Sequence, residues 1–177
     1  MGRSVIADIR QKLRKSRREM LQCIATLDDQ AADYRWRPDA WSVKDHVAHL
    51  AAVEESVLHF AHRILDEDCP ISPLCYNKAF DQDAWNNKIV AEWAVYTWAE
   101  VRRNLNEIHQ ALFSLLDQTP EEKLNRLGSH PVWGEPVTLA SVLRVPYRHE
   151  RAHRDEIAAL CQLLQDNPVN PCLTNYQ

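Results

Sequence analysis

The residues Val43, Val47, Leu50, Val53, Val57, Ala61 and Ile64 advance by threes and fours along the chain, an apolar stripe that persists for about six helical turns. A stripe of that period cannot sit in a β-strand, whose faces alternate at every second residue, so it commits this part of the chain to a long amphipathic helix. The pattern recurs. Residues 6, 9, 13, 20, 21 and 24 form a stripe near the start of the chain, and Val101, Leu105, Ile108, Leu112 and Leu115 form one in the third quarter. Only three glycines occur, Gly2, Gly128 and Gly134, which is a poor supply for the tight turns of an all-β protein.

The ends of these helices are marked by capping residues. The first is expected over residues 4–27, followed by a loop through Arg37-Pro38-Asp39. Ser42 and Asp45 have the spacing of a capping box, with each side chain placed to accept from a free amide of the first turn, so the second helix is expected over residues 42–66. Cys69-Pro70-Ile71-Ser72-Pro73 stops it. Residues 68–96 show no sustained period, and a long connection lying across one end of the helices and contributing to a pocket wall is expected there. Thr97 and Glu100 repeat the capping box and open a third helix that ends before Thr119-Pro120, with a short helical turn expected over 121–127. Pro131 and Pro136 exclude regular helix from 128–136, and no strand is expected before the last helix. Thr138, flanked by Val137 and Val142, caps a fourth helix expected to reach about residue 165. Pro146 then falls inside that helix, where proline kinks the axis at a cost on the order of 3 kcal/mol. The expected architecture is all-α: one domain over residues 1–177, a four-helix bundle of up-down type with a long crossover connection, whose ligand sites are built from inward-facing side chains.

Charge and cysteine usage narrow the function classes. A formal net charge of −4 gives no electrostatic footprint for nucleic acid. The one basic run, Arg10, Lys12, Arg14, Lys15, Arg17 and Arg18, lies opposite apolar Ile6, Ile9, Leu13, Leu21 and Ile24 and is read as a solvated helix face. Five cysteines, Cys23, Cys69, Cys75, Cys161 and Cys172, are an odd number without C-x-x-C spacing. They are read as free thiols of a cytoplasmic protein. No apolar run approaches the roughly 20 residues that a membrane span requires, and a small-molecule partner fits better than a membrane or a nucleic acid.

The chemistry concentrates in His149-Glu150-Arg151-Ala152-His153, the H-E-x-x-H pattern of zinc peptidases. His149 and His153 differ by about 40° of helical rotation and share one face. With Val142, Pro146, Ile157, Leu160 and Leu164 they form a stripe expected to face the core. Two neutral imidazoles one turn apart on such a stripe offer two nitrogens to one metal ion. A peptidase takes its third ligand downstream, but position 159 is Ala and the only acid beyond Glu156 is Asp166, so a zinc peptidase is not the expected reading. The second helix supplies His46, inside its apolar stripe, and His49, at the margin, and geometry alone leaves the choice between them open. Ring packing against Trp41 at the helix start is the alternative use of His46. His59, His62 and His109 are expected at the surface.

The order Trp41-Ser42-Val43-Lys44, His49-Leu50, Asp83-Ala84-Trp85-Asn86, Thr138-Leu139, then His149-Glu150 and His153 resembles the DinB/YfiT-like family of metal-binding four-helix bundles, over nearly the whole chain. The resemblance implies a three-histidine site for a divalent ion, Zn or Ni, with ligands His49, His149 and His153. It also implies a metal-dependent enzyme, foremost a low-molecular-weight thiol S-transferase, with a hydrolase or a catalytically silent metal-binding bundle as alternatives, and a homodimer as the assembly. Three imidazoles around a divalent ion with an open position lower the pKa of a bound water or thiol. Glu150, rotated about 60° from His153, is placed to act as general base or as partner to an imidazole, or else is an exposed helix acid near Arg154.

Overall fold

The computed structural model describes residues 4–77 and 79–166. Its long helices are α1 (Val5–Cys23), α3 (Val43–Asp66), α5 (Trp98–Gln118) and α7 (Val145–Asp166), with shorter helices α2 (Asp29–Asp33), α4 (Gln82–Trp93) and α6 (Leu139–Val142) and two strands, β1 (Leu127–His130) and β2 (Gly134–Thr138). Both capping boxes form. The Ser42 hydroxyl accepts from the Asp45 amide and the Asp45 carboxylate accepts from the Ser42 amide, and Thr97 and Glu100 do the same for α5. Each box satisfies amides that the helix itself leaves unpaired, which is why these two boundaries follow the local sequence so closely.

The core is divided. Ile9 and Leu13 of α1, Val57, Phe60 and Ile64 of α3, Leu112 and Leu116 of α5, and Tyr147 of α7 belong to one apolar cluster. Met20 of α1, Val43, Val47 and Leu50 of α3, Trp98, Val101 and Leu105 of α5, and Ile157 and Cys161 of α7 belong to another. Read in chain order, α1 and α7 run from the first cluster to the second, and α3 and α5 run the opposite way. The chain therefore goes up, down, down and up. Parallel α3 and α5 are neighbours, so the chain between them must travel back along the bundle, and this is the physical reason for the long crossover.

Between the two clusters each long helix contributes one ionisable side chain: Arg17 (6 % exposed), Glu54 (1 %), His109 (6 %) and Glu150 (2 %). Arg17 bridges the Glu54 and Glu150 carboxylates. The second Glu54 oxygen pairs with His109 Nδ1 at 2.7 Å, and the Ser16 hydroxyl donates to Glu150 at 2.6 Å. Burial opposes the Arg17 charge, but the two carboxylates hold its pKa above the ordinary value. Arg17 and His109, expected at the surface, are thus core residues. Arg17 lies on the inner edge of the α1 stripe, between Leu13 and Met20, where only a charged partner from another helix makes burial tolerable.

The remaining segments correct the sequence reading. The first helix ends at Cys23, and a short helix, α2, follows with the Asp28 carboxylate accepting from the Ala31 amide. The 68–96 connection contains a 3-10 turn (Pro73–Tyr76) and the twelve-residue α4, capped by Asp81. Among the α4 side chains only Ile89 and Val90 are buried, so α4 carries too narrow an apolar face to show a period. The region expected to hold no strand forms an antiparallel hairpin, β1 with β2, turned by Gly134 at φ 134°, a conformation that side-chain-bearing residues avoid. The fourth helix is interrupted after α6. Pro146 is the second residue of α7, in a first turn whose amides have no helical acceptor, so it starts a helix and does not kink one. No described helix is long and apolar enough to cross a membrane. Cys23, Cys69, Cys75 and Cys161 are free thiols, and Cys172 lies outside the described residues.

Candidate metal centre

The true inner stripe of α7 runs through Tyr147, Glu150, Ile157, Cys161 and Leu164. It is displaced by about one residue from the stripe that the hydrophobic pattern suggests, because Glu150 occupies a core position. The displacement turns His149 and His153 onto the flank of α7 that packs on α3. Residues 43–54 of α3 are buried on every side, and they present His46 and His49 to that flank.

The three imidazoles converge through one type of nitrogen. His49 Nε2 lies 3.1 Å from His149 Nε2, which lies 3.0 Å from His153 Nε2. Nitrogens at about 2.0–2.1 Å from a tetrahedral ion are themselves roughly 3.3–3.4 Å apart, so this spacing is already close to that of three ligands around one centre. Protonation of His49 and His149 does not compete near neutral pH. Burial, followed by repulsion from neighbouring imidazoles, pushes the His49 pKa down to about 4 and the His149 pKa to about 3. The donor set is therefore two neutral imidazoles, His49 buried and His149 half-buried, and a third whose proton position is fixed by its partner.

That partner is Glu156. Its exposed carboxylate can only accept, so the 2.7 Å contact to His153 Nδ1 places the proton on Nδ1 and leaves the Nε2 lone pair facing the other two rings. A carboxylate behind an imidazole is the usual way of fixing the tautomer and raising the basicity of a metal ligand. His49 Nδ1 and His149 Nδ1, by contrast, are buried without a partner among the described residues. Ring packing holds His49 instead, with the Trp41 ring centroid 5.0 Å from it, and Trp41 Nε1 donates to Asn87 of α4 at 3.3 Å.

His46 joins the edge of the cluster. Its Nδ1 lies 3.3 Å from His153 Nδ1, its ring stands edge-on to Trp41 at 5.3 Å, and burial, followed by repulsion from His153, lowers its pKa to about 4. His46, His153 and Glu156 form a second group close enough to hold a cation, but it shares His153 and uses the nitrogen already engaged by Glu156. Of the two histidines left open by sequence geometry, His49 is the one whose Nε2 meets His149, while His46 packs on Trp41. Glu150 is carried elsewhere: both its oxygens are taken by Ser16 and Arg17 of α1, and burial raises its pKa. Glu156 was not among the expected site residues, although its spacing of three residues from His153 puts it on the same helical face. His59 and His62 are exposed.

The cluster opens onto a cavity of about 330 Å³ with His49 and His149 in its wall. Leu74, Phe80, Trp85 and Asn86, from the crossover segment, supply one side, and His130 and Trp133, from the hairpin, another. The expected contribution of residues 68–96 to a pocket wall is therefore met, by a helix as well as by loop.

A family model of the DinB superfamily matches residues 6–157. No curated protein matches the chain. Among solved structures, YfiT from Bacillus subtilis, described as a probable metal-dependent hydrolase with an unusual four-helix bundle topology, superposes with a TM-score of 0.72 at 21 % identity, covering 93 % of this chain and 90 % of YfiT. An uncharacterized protein from Clostridium difficile 630 superposes at 0.73 with 11 % identity, covering 93 % of this chain and 99 % of that one. A protein from Escherichia coli UTI89 reaches 0.68 at 10 % identity, covering 95 % and 97 % respectively. At such identities the similarity establishes the fold.

Proposed function

The chain belongs to the DinB superfamily, and from that premise we propose that it is a metal-dependent enzyme in which His49, His149 and His153 hold one divalent ion through their Nε2 atoms. The observation that carries the reading is the convergence of three Nε2 atoms, none with a competing carboxylate partner, at the edge of an apolar cavity. An all-imidazole set suits zinc and nickel, and three protein ligands leave room for a reactant. A bound ion of this kind supplies Lewis acidity, which makes water or a thiol a nucleophile near neutral pH. The chain's own residues do the rest. Glu156 fixes the His153 tautomer, Trp41, tethered to Asn87 of α4, keeps the His49 ring in place, and the aromatic wall excludes water from the reacting groups. Glu150 in this reading ties α1 to α7 and moves no proton.

The apolar wall favours a polarisable thiol and an apolar electrophile, so transfer of a low-molecular-weight thiol is the first activity expected. Hydrolysis is the second reading, favoured by the description of YfiT as a probable metal-dependent hydrolase. Metal-loaded and chelator-treated protein should be incubated with cysteine or glutathione and 1-chloro-2,4-dinitrobenzene, and separately with p-nitrophenyl acetate. Metal-dependent loss of thiol supports the transferase, and metal-dependent release of nitrophenol alone supports the hydrolase. Stoichiometric metal with neither reaction marks a silent metal-binding bundle.

A further inference from the structure

The cavity beside the histidines has a charge pattern that says what it would select. Its wall is mostly apolar and aromatic: Phe80 and Trp85 approach with ring centroids 6.4 Å apart, and His130 stacks on Trp133 at 3.8 Å and 10°. The volume, about 330 Å³, suits a small ligand with a single ring. His130 brings no charge. The Val132 amide donates to its Nδ1 at 3.3 Å, which leaves the ring proton on Nε2, and burial lowers its pKa to about 4. Arg148, on the α7 turn that also carries His149, is then the only charged side chain in the cavity wall among the described residues, and no acidic side chain lines it there.

Arg148 is also not neutralised from outside the cavity. Arg154, later on the same helix, is by contrast paired with Glu19 and Asp155, and of the arginines without an ion pair among the described residues Arg148 is the one in this cavity wall. No carboxylate lies within ion-pair distance of the Arg148 guanidinium among the described residues. It stands exposed about 6.0 Å from the Tyr147 ring. A guanidinium without an ion-pair partner in the wall of a largely apolar, aromatic pocket is a directional hydrogen-bond donor to anions, with a planar fork suited to carboxylate, sulfonate or phosphate oxygens.

We propose that this cavity takes a flat, apolar, ring-containing small molecule bearing one negatively charged group, with the ring against Trp85, Trp133 and His130 and the anion on Arg148. Such a ligand would be oriented by its charged end on Arg148, with the uncharged end left to lie along the wall that carries His49 and His149. This deepens the enzymatic reading above and rests on it for the claim that the molecule reacts, but not for the claim that it binds.

Trp85 and Trp133 make binding measurable by fluorescence quenching without any turnover. The probes are 2-phenylethanesulfonate, an anion that coordinates metals weakly, the neutral methyl 2-phenylethyl sulfone, and ethanesulfonate, which keeps the charge and lacks the ring. Chelator-treated and metal-loaded protein are both titrated. 2-Phenylethanesulfonate is expected to saturate and to bind about tenfold more tightly than either other probe, the scale of one charge-assisted contact. Arg148→Gln should remove its advantage over the sulfone while leaving sulfone binding intact, and Arg148→Lys should restore part of that advantage. Equal affinity for anion and sulfone, an anion advantage that survives Arg148→Gln, or no saturable binding of any probe would overturn the proposal. Because the titration is also made without metal, a failure here is separate from a failure to bind metal.

Discussion

Replacing Arg17 by Met tests whether the charged layer between the two halves of the core is held by one guanidinium. The substitution keeps most of the side-chain volume and removes the cation that bridges Glu54 and Glu150, both of which are almost fully buried. Glu54 keeps His109 and Glu150 keeps the Ser16 hydroxyl, so the loss is that of one partner from a buried charged network, typically about 3–5 kcal/mol. Against a total stability of about 5–15 kcal/mol for an ordinary domain this is severe, and it corresponds to a fall in Tm of roughly 6–20 °C. The assay is urea and thermal unfolding followed by circular dichroism, repeated between pH 5 and pH 8. Burial already raises the Glu150 pKa, and losing Arg17 raises it further. The folded variant then holds a proton that the unfolded chain releases, so its stability is retained toward acid pH and lost as pH rises through the folded value. The variant should therefore lie closest to the wild type near pH 5, and adding Glu150→Gln should recover part of the loss at pH 8. A loss below about 1 kcal/mol, comparable to a surface pair, or the absence of rescue by Glu150→Gln, would refute the reasoning.

Glu156→Ala removes the carboxylate that fixes the His153 tautomer from an exposed position, and metal affinity measured by chelator competition should fall about 10- to 100-fold with the fold unchanged. Unchanged affinity would show that Glu156 does not support the site. Gly128→Ala would bring a Cβ to 2.9 Å from Phe60 Cζ, 3.0 Å from Ile64 Cγ1 and 3.1 Å from the Pro70 carbonyl. Overpacking of β1 on α3 should lower stability by about 1–3 kcal/mol, read as a lower urea midpoint. An unchanged midpoint would mean that the hairpin does not press on α3 as described.

The sequence shows those parts of the fold that are written locally. The boxes Ser42–Asp45 and Thr97–Glu100 announce α3 and α5 because both partners lie within one turn. The parts that depend on distant partners do not show. Glu150 looks like a surface acid because the residue that makes its burial tolerable, Arg17, is 133 positions away. Treating Glu150 as exposed is what shifts the apparent α7 stripe onto His149 and His153. Helix α4 has a face too narrow for a period to register, and the hairpin hides behind Pro131 and Pro136, which exclude helix without proposing a strand. In the candidate site, His149 and His153 are legible from their spacing, and His49, 100 residues before its neighbour His149, enters only through the order of motifs along the whole chain. Glu156 was within reach of local reasoning, since an acid three residues after a histidine can meet its ring nitrogen.

The proposed divalent ion on His49, His149 and His153 is tested most directly by elemental analysis of purified protein beside His49→Ala and His149→Ala. The three-histidine arrangement predicts about one equivalent of zinc or nickel per chain in the wild type. Each variant should keep its helical circular dichroism and lose the metal. Stoichiometric metal retained in both variants would contradict the three-histidine centre.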